Sequence, residues 1–181
     1  LTGNTAKKRH SYEQVLNCLS ISELLADVDY EVIGTPPLGI DIADSDIDIS
    51  CFSSVPDALA QKLSTALTDH KDLSQRTLSF PPYKTELLSF TFMEWLIEFF
   101  IQDRSLKDQF GVRHFLLERR LLSLLGSKFI QQLIRLKQQG MKTEPAFAKL
   151  LGITGDPYIN LLSLEDLSDQ KIKQLLPCSL K

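Results

Sequence analysis

An α+β fold is predicted for this chain: a mixed α/β core over residues 1–103, followed by a helical region, 104–181, packed against it. Three observations lead there. Between residues 30 and 102, short β-prone runs are separated by Gly- and Pro-containing turns. One helical pattern, 56–67, interrupts these runs. From residue 106 onward, apolar side chains recur at helical spacing almost to the end. No Gly- or Ser-rich linker divides the halves, so they are expected to form one compact unit with a cleft where they meet.

The elements follow in order. Residues 11–25 predict a helix: Ser11 and Gln14 fit a capping box, and Val15, Leu16, Leu19, Leu24 and Leu25 supply an apolar face. Tyr30-Glu31-Val32-Ile33-Gly34 is a strand running into the turn Thr35-Pro36-Pro37-Leu38-Gly39. Residues 46–52 alternate polar and apolar, the mark of a strand with one buried face. Leu59, Leu63, Ala66 and Leu67 line a helix over 56–67. Three strands are expected at 74–80, 84–92 and 93–102, the first two joined at Pro81-Pro82. A helix from 106 should stop at Gly126, and a second, 127–139, at Gly140. A third, 143–151, has Pro145 in its first turn and Gly152 after its end. Asp156-Pro157 opens a short fourth, and a fifth spans 163–176, with Ser163 as cap. There are no internal repeats.

Composition narrows the class. The 181 residues are 43% hydrophobic and 24% charged, which excludes disordered and fibrous chains. The net charge of −3 gives no support for a general nucleic-acid-binding surface. Cys18, Cys51 and Cys178 are far apart and lack C-x-x-C spacing, so neither a disulfide framework nor a structural zinc site is expected. Cys51 reads as a small buried hydrophobe. The start is polar through Lys7-Lys8-Arg9-His10, with no apolar signal region after it. The longest apolar run, 95–101, is too short to span a bilayer and is interrupted by Glu98. The expectation is a cytoplasmic protein without a membrane segment, its basic start a solvated end.

The chemistry concentrates in Gly34-Thr35 and Ser45-Asp46-Ile47-Asp48-Ile49. On a strand, side chains two apart share a face. Asp46 and Asp48 therefore project together, while Ile47 and Ile49 face the core. Adjacent carboxylates repel, and a divalent cation resolves that repulsion; magnesium takes a few carboxylate oxygens and leaves its other positions to water or phosphate. The plainer reading is a solvated strand edge. Gly34 lets backbone approach phosphate closely, and Thr35 adds a hydroxyl. Glu98 sits in a run expected to be a buried strand. It therefore needs a cation, a proton, or a partner such as Arg76 or Arg113.

Together these residues resemble the nucleotidyltransferase superfamily related to DNA polymerase beta. More narrowly, Gly39-Ile40-Asp41-Ile42, Ile97-Glu98-Phe99-Phe100 and Arg113-His114-Phe115-Leu116 with Glu118 look like an uncharacterised bacterial family within it. The resemblance implies a mixed sheet with helices on one face and an active site at its open edge. It implies Mg2+ held by Asp46 and Asp48, with Glu98 as the third acid that orients or deprotonates an attacking hydroxyl. It also implies that a nucleoside triphosphate, with ATP expected, binds through the Gly34 turn. The pattern departs from the superfamily in four ways: Thr35 stands where Ser is usual, Pro36-Pro37 follows at once, no Arg or Lys lies between Gly34 and Asp48, and the third acid, Glu98, is Glu rather than Asp.

Arg113 and Arg120, seven apart on one helix face, are candidates for the missing phosphate contacts. The competing reading is an ion-paired surface with Glu118 and Asp108. His114 shares the apolar face of Phe110, Leu117 and Leu121 and reads as a packed histidine bonded to backbone rather than a catalytic one. Lys84 and Arg76 read as solvated, and Asp44 as shaping the turn with Ser45. The sequence thus points to magnesium-dependent nucleotidyl transfer to an unknown hydroxyl, on a small molecule or protein in preference to nucleic acid. Asp46, Asp48 and Glu98 would be the catalytic metal ligands, and Gly34, Thr35, Ser45 and Arg113 the nucleotide contacts. The alternative is a catalytically silent member of the fold that binds a nucleotide or a protein partner, as an antitoxin-like module would.

Overall fold

The computed structural model describes residues 9–80 and 83–176. The expected Pro81-Pro82 turn, Lys7, Lys8 and Cys178 lie outside the described residues. The contacts divide the chain into two units, one of residues 1–32 with 46–106, the other of residues 33–45 with 107–181. The architecture is α+β, as expected: seven α-helices and a five-stranded mixed sheet among the described residues.

The first unit begins with Ser11, whose hydroxyl accepts from Gln14 N–H while the Gln14 side chain accepts from Ser11 N–H. This capping box starts α1 (Tyr12–Cys18) as expected, but the helix does not continue to Leu25. Ser20 takes a left-handed conformation (φ 49°) and starts a separate turn, α2 (Ile21–Leu24).

The sheet is built from β1 (Tyr30–Ile33), β2 (Ile47–Phe52), β3 (Lys71–Phe80), β4 (Tyr83–Phe92) and β5 (Trp95–Gln102), in the order β1-β2-β5-β4-β3. β2 and β5 run parallel, whereas β5, β4 and β3 form an antiparallel meander. α3 (Pro56–Ala66) crosses over between β2 and β3, with Pro56 in its first turn.

Alternation decides which side is buried. Ile47, Ile49, Cys51, Ile97, Phe99 and Ile101 are fully buried and pack with Leu59, Ala60 and Leu63 of α3 and with Val15, Ile21 and Leu25. The helices of this unit therefore cover one face of the sheet. Phe90 and Phe99 stack inside it, ring centroids 6.2 Å apart. Cys51 is the buried hydrophobe expected, its thiol pushed up to about 12 by burial and so kept protonated. Residues one out of phase, Asp48 and Glu98 among them, point to the opposite face.

The predicted strand 93–102 starts two residues late. Met93 and Glu94 both take positive φ (47° and 67°) and join Phe92 to Trp95 as a two-residue hairpin. Such a turn ordinarily carries Asn-Gly. A left-handed residue other than Gly costs roughly 1–2 kcal/mol, and Glu94 is exposed. Glu94→Gly is therefore expected to stabilise the fold by about 0.5–1 kcal/mol once the added freedom of the unfolded chain is set against that relief. A thermal melt showing unchanged or reduced stability would contradict this account of the turn.

The basic start is not simply solvated. The Arg9 guanidinium lies over the Trp95 ring, and Trp95 Nε1 donates to the His10 carbonyl at 3.0 Å.

In the second unit, α4 (Phe110–Gln138) is interrupted where the sequence predicted a stop: Gly126 has φ 78° and ψ 179°, a conformation no helix contains. The predicted pair of helices is thus present, run together end to end. Gly140 and Gly152 follow the ends of α4 and α5 (Thr143–Leu151). Asp156 caps α6 (Pro157–Asn160), accepting from Tyr158 and Ile159 N–H. The fifth helix is shorter than predicted. Ser163 donates to the Asn160 carbonyl inside a 3-10 turn, and the cap is Ser168, which accepts from Lys171 N–H and starts α7 (Asp169–Leu175). Phe129, Leu133, Phe147, Leu161 and Ile172 form this unit's core.

Candidate functional site

The outer face of the sheet brings three carboxylates together. Asp48 pairs with Glu98 across the parallel β2–β5 ladder, and Asp46 stands just before β2, two residues from Asp48. One oxygen from each of Asp46, Asp48 and Glu98 lies within 4.8 Å of the others. All three are half-buried. Ser89 of β4 stands opposite Glu98 on its other side.

The cause is local. The apolar partners Ile47↔Ile97 and Ile49↔Phe99 fix the register, because a slip of one residue would turn both strands' apolar sets outward. The register that buries them sets Asp48 beside Glu98. The expectation that Glu98 lies in a fully buried strand needs correction. Leu96 is 42% exposed and Phe100 half-buried, so β5 is two-faced and Glu98 is on its wetter side. Its desolvation cost is smaller than a core carboxylate's.

The donor set fits magnesium. It is all oxygen, carries three negative charges when ionised, and is open enough to leave coordination positions for water or phosphate. Clustered carboxylates of this kind repel one another, and a divalent ion offsets that repulsion.

Gly34, Thr35 and Ser45 belong to the second unit's loop. Gly34 has φ 80°. Thr35 Oγ1 donates to Ser45 Oγ at 3.0 Å, and Ile42 N–H donates to the same oxygen at 2.9 Å. Ser45 is 8% exposed. These bonds cross-link the two ends of the segment between Gly34 and Asp46.

Arg113 is ion-paired, with Asp108 among the charges that attract it, but its direct partner is Glu165 and not Glu118. Its Nε and Nη2 grip both oxygens of Glu165, 52 positions away. This pairing raises the guanidinium's pKa further above its usual range. Arg120 likewise donates to Asp169 and to the Glu165 and Leu167 carbonyls. The two arginines clamp residues 165–169 onto α4. No residue-pair pattern in the sequence signals a contact of that separation. His114 is buried and hydrogen-bonded to the Tyr158 carbonyl at 2.9 Å, as its apolar surroundings predicted.

No helix among the described residues is long and apolar enough to cross a membrane. None of the curated proteins matches the chain.

The fold is that of the nucleotidyltransferases. The Cid1 poly(U) polymerase with MgGTP bound superposes with a TM-score of 0.54 at 15% identity, covering 78% of this chain and 47% of that one. A second Cid1 structure, described for its RNA terminal uridylyl transferase activity, gives 0.55 at 12% identity, with 80% and 48% covered. The same enzyme with Mg 3'-dATP bound gives 0.53 at 14%, with 82% and 46% covered. The chain thus spans about half the length of these neighbours. By sequence it belongs to the family described as a domain of unknown function, DUF4269, whose model matches residues 14–164.

Proposed function

We propose that this protein is a magnesium-dependent nucleotidyltransferase that moves a nucleotidyl group from a nucleoside triphosphate, ATP being the expected donor, to a hydroxyl acceptor. The observation that carries the reading is the convergence of Asp46, Asp48 and Glu98 on adjacent strands of a nucleotidyltransferase fold.

Asp46 and Asp48, with Glu98, would hold Mg2+, which when bound neutralises phosphate charge as the leaving group departs. Glu98 accepts the acceptor's hydroxyl proton. The freed oxygen forms a bond to the α-phosphorus, the bond from that phosphorus to the bridging oxygen breaks, and pyrophosphate leaves. Gly34, Thr35 and Ser45 are the proposed phosphate contacts. Arg113 joins them with guanidinium donors beyond the two that Glu165 occupies. The net charge of −3 favours a small-molecule or protein hydroxyl, although the Cid1 neighbours are RNA-extending enzymes.

Two observations favour a second reading, a silent nucleotide- or protein-binding module: the Thr35 and Ser45 hydroxyls bond to each other, and no cationic side chain lies between Gly34 and Asp48.

Calorimetric titration with a non-hydrolysable ATP analogue separates the two. Nucleotide transfer requires binding that depends on magnesium and disappears in Asp46→Ala/Asp48→Ala. A folded protein that binds no nucleotide with or without magnesium would overturn the enzymatic reading and leave a partner-binding one.

A further inference from the structure

His114, Glu118 and Glu144 form a second set of metal-ligand side chains, wholly within the helical unit. His114 and Glu118 are four apart on α4 and so share a face. Glu144 stands in the first turn of α5, which packs on α4. One ring nitrogen of His114 and one oxygen of each glutamate lie within 4.8 Å of one another.

Histidine chemistry distinguishes this set from an ordinary acidic cluster. His114 is 8% exposed. Its Nε2 faces the Tyr158 carbonyl, which can only accept, so Nε2 carries the proton. In the neutral ring Nδ1 then presents a bare lone pair, and that nitrogen is buried with no hydrogen-bond partner. A metal-binding histidine is typically held in this way, its second nitrogen donating to a backbone carbonyl while the first points at the ion.

Glu118 adds the complementary need. It is 4% exposed, and burial together with the nearby Glu144 pushes its carboxyl well above the usual range. The Lys137 ammonium opposes that shift, while its Nζ is bonded to the Ile40 carbonyl. Half-buried Glu144 leaves a way in.

We propose that His114, Glu118 and Glu144 bind one divalent transition-metal ion of the zinc or cobalt type, distinct from any ion at Asp46, Asp48 and Glu98. One imidazole and two carboxylates balance the ion's charge, and the nitrogen ligand selects against magnesium.

The test uses the full chain carrying Asp46→Asn/Asp48→Asn, so that ions at those carboxylates are not counted. Titration with Co2+ should give one equivalent with visible d–d absorption, abolished by Zn2+ and unaffected by millimolar Mg2+. His114→Ala and Glu118→Gln should each weaken binding by about 100-fold, the upper end of what losing even a residue that supports a ligand costs. Glu144→Gln, at a half-buried position less able to disturb folding, should weaken it measurably. Circular dichroism verifies that each variant is folded. Absence of saturable Co2+ binding to the folded parent would overturn the proposal, as would binding that folded Glu118→Gln and Glu144→Gln both leave intact.

Discussion

Asp48→Asn is expected to lower the affinity for magnesium-dependent nucleotide by about 100-fold, close to 2.8 kcal/mol. It should do so without harming the fold. Asp48 stands between the other two acids: it shares a strand face with Asp46 and a ladder position with Glu98. Asparagine keeps its shape but removes the charge that a hard cation requires. In the metal-free protein the same charge is a burden, because three half-buried carboxylates repel one another. Asp48→Asn should therefore leave thermal stability unchanged or raise it by up to about 1 kcal/mol, as commonly happens when a functional residue is neutralised. Both changes are read from one preparation, by calorimetric titration and a melt without metal. A variant that loses stability and affinity together would mean that Asp48 serves the fold.

Phe99→Ala has the largest expected effect on stability. Phe99 is fully buried on β5, between the β2 and β4 ladders, and stacks on Phe90. Truncating such a ring removes its burial and leaves a cavity, costing about 3–5 kcal/mol. For a domain stabilised by roughly 5–15 kcal/mol, this is a large fraction of the total. The melting temperature should fall by about 6–20 °C. Because Phe99 adjoins Glu98 and fixes its strand's register, metal affinity should fall as well, in contrast to the clean separation expected of Asp48→Asn. A loss below about 1 kcal/mol in chemical denaturation would show that the sheet core repacks around the gap.

These contrasts bear on what the sequence could reveal. The periodic and capped features were legible because their causes are local. Ile47 and Ile49 alternate with the acids, Ser11 and Gln14 reciprocate as caps, and Gly126 marks the break in α4. The convergence of Asp46 with Asp48 follows from strand geometry. That of Asp48 with Glu98 does not: it depends on β2 and β5 pairing in parallel over a separation of fifty residues, and what pointed to it was the need of a carboxylate in an apolar run for a cation, together with the resemblance to nucleotidyltransferases.

The failures also have physical sources. The Met93-Glu94 turn carries neither Asn nor Gly, so no local signal announces it. Ser20 and Ser163 sit in patterns that suit a helix interior and a helix cap, respectively. Tertiary packing instead breaks the first helix at Ser20 and moves the cap to Ser168. Asp108 and Glu118, each five positions from Arg113, are the acids its own stretch of chain offers, whereas Glu165, 52 positions on, supplies a bidentate partner that reasoning from neighbouring residues cannot reveal. Glu144 carries no local signal of a site, because its relation to His114 and Glu118 exists only once α5 packs on α4.

The most direct test of the central claim is electron paramagnetic resonance with Mn2+ standing in for Mg2+, on the wild-type chain and on Asp46→Asn, Asp48→Asn and Glu98→Gln, with an ATP analogue present. The account predicts that the wild type sequesters manganese in a nucleotide-dependent way and that all three substitutions release it. Manganese held equally well by all four proteins would contradict the claim that these three acids form a single cation site.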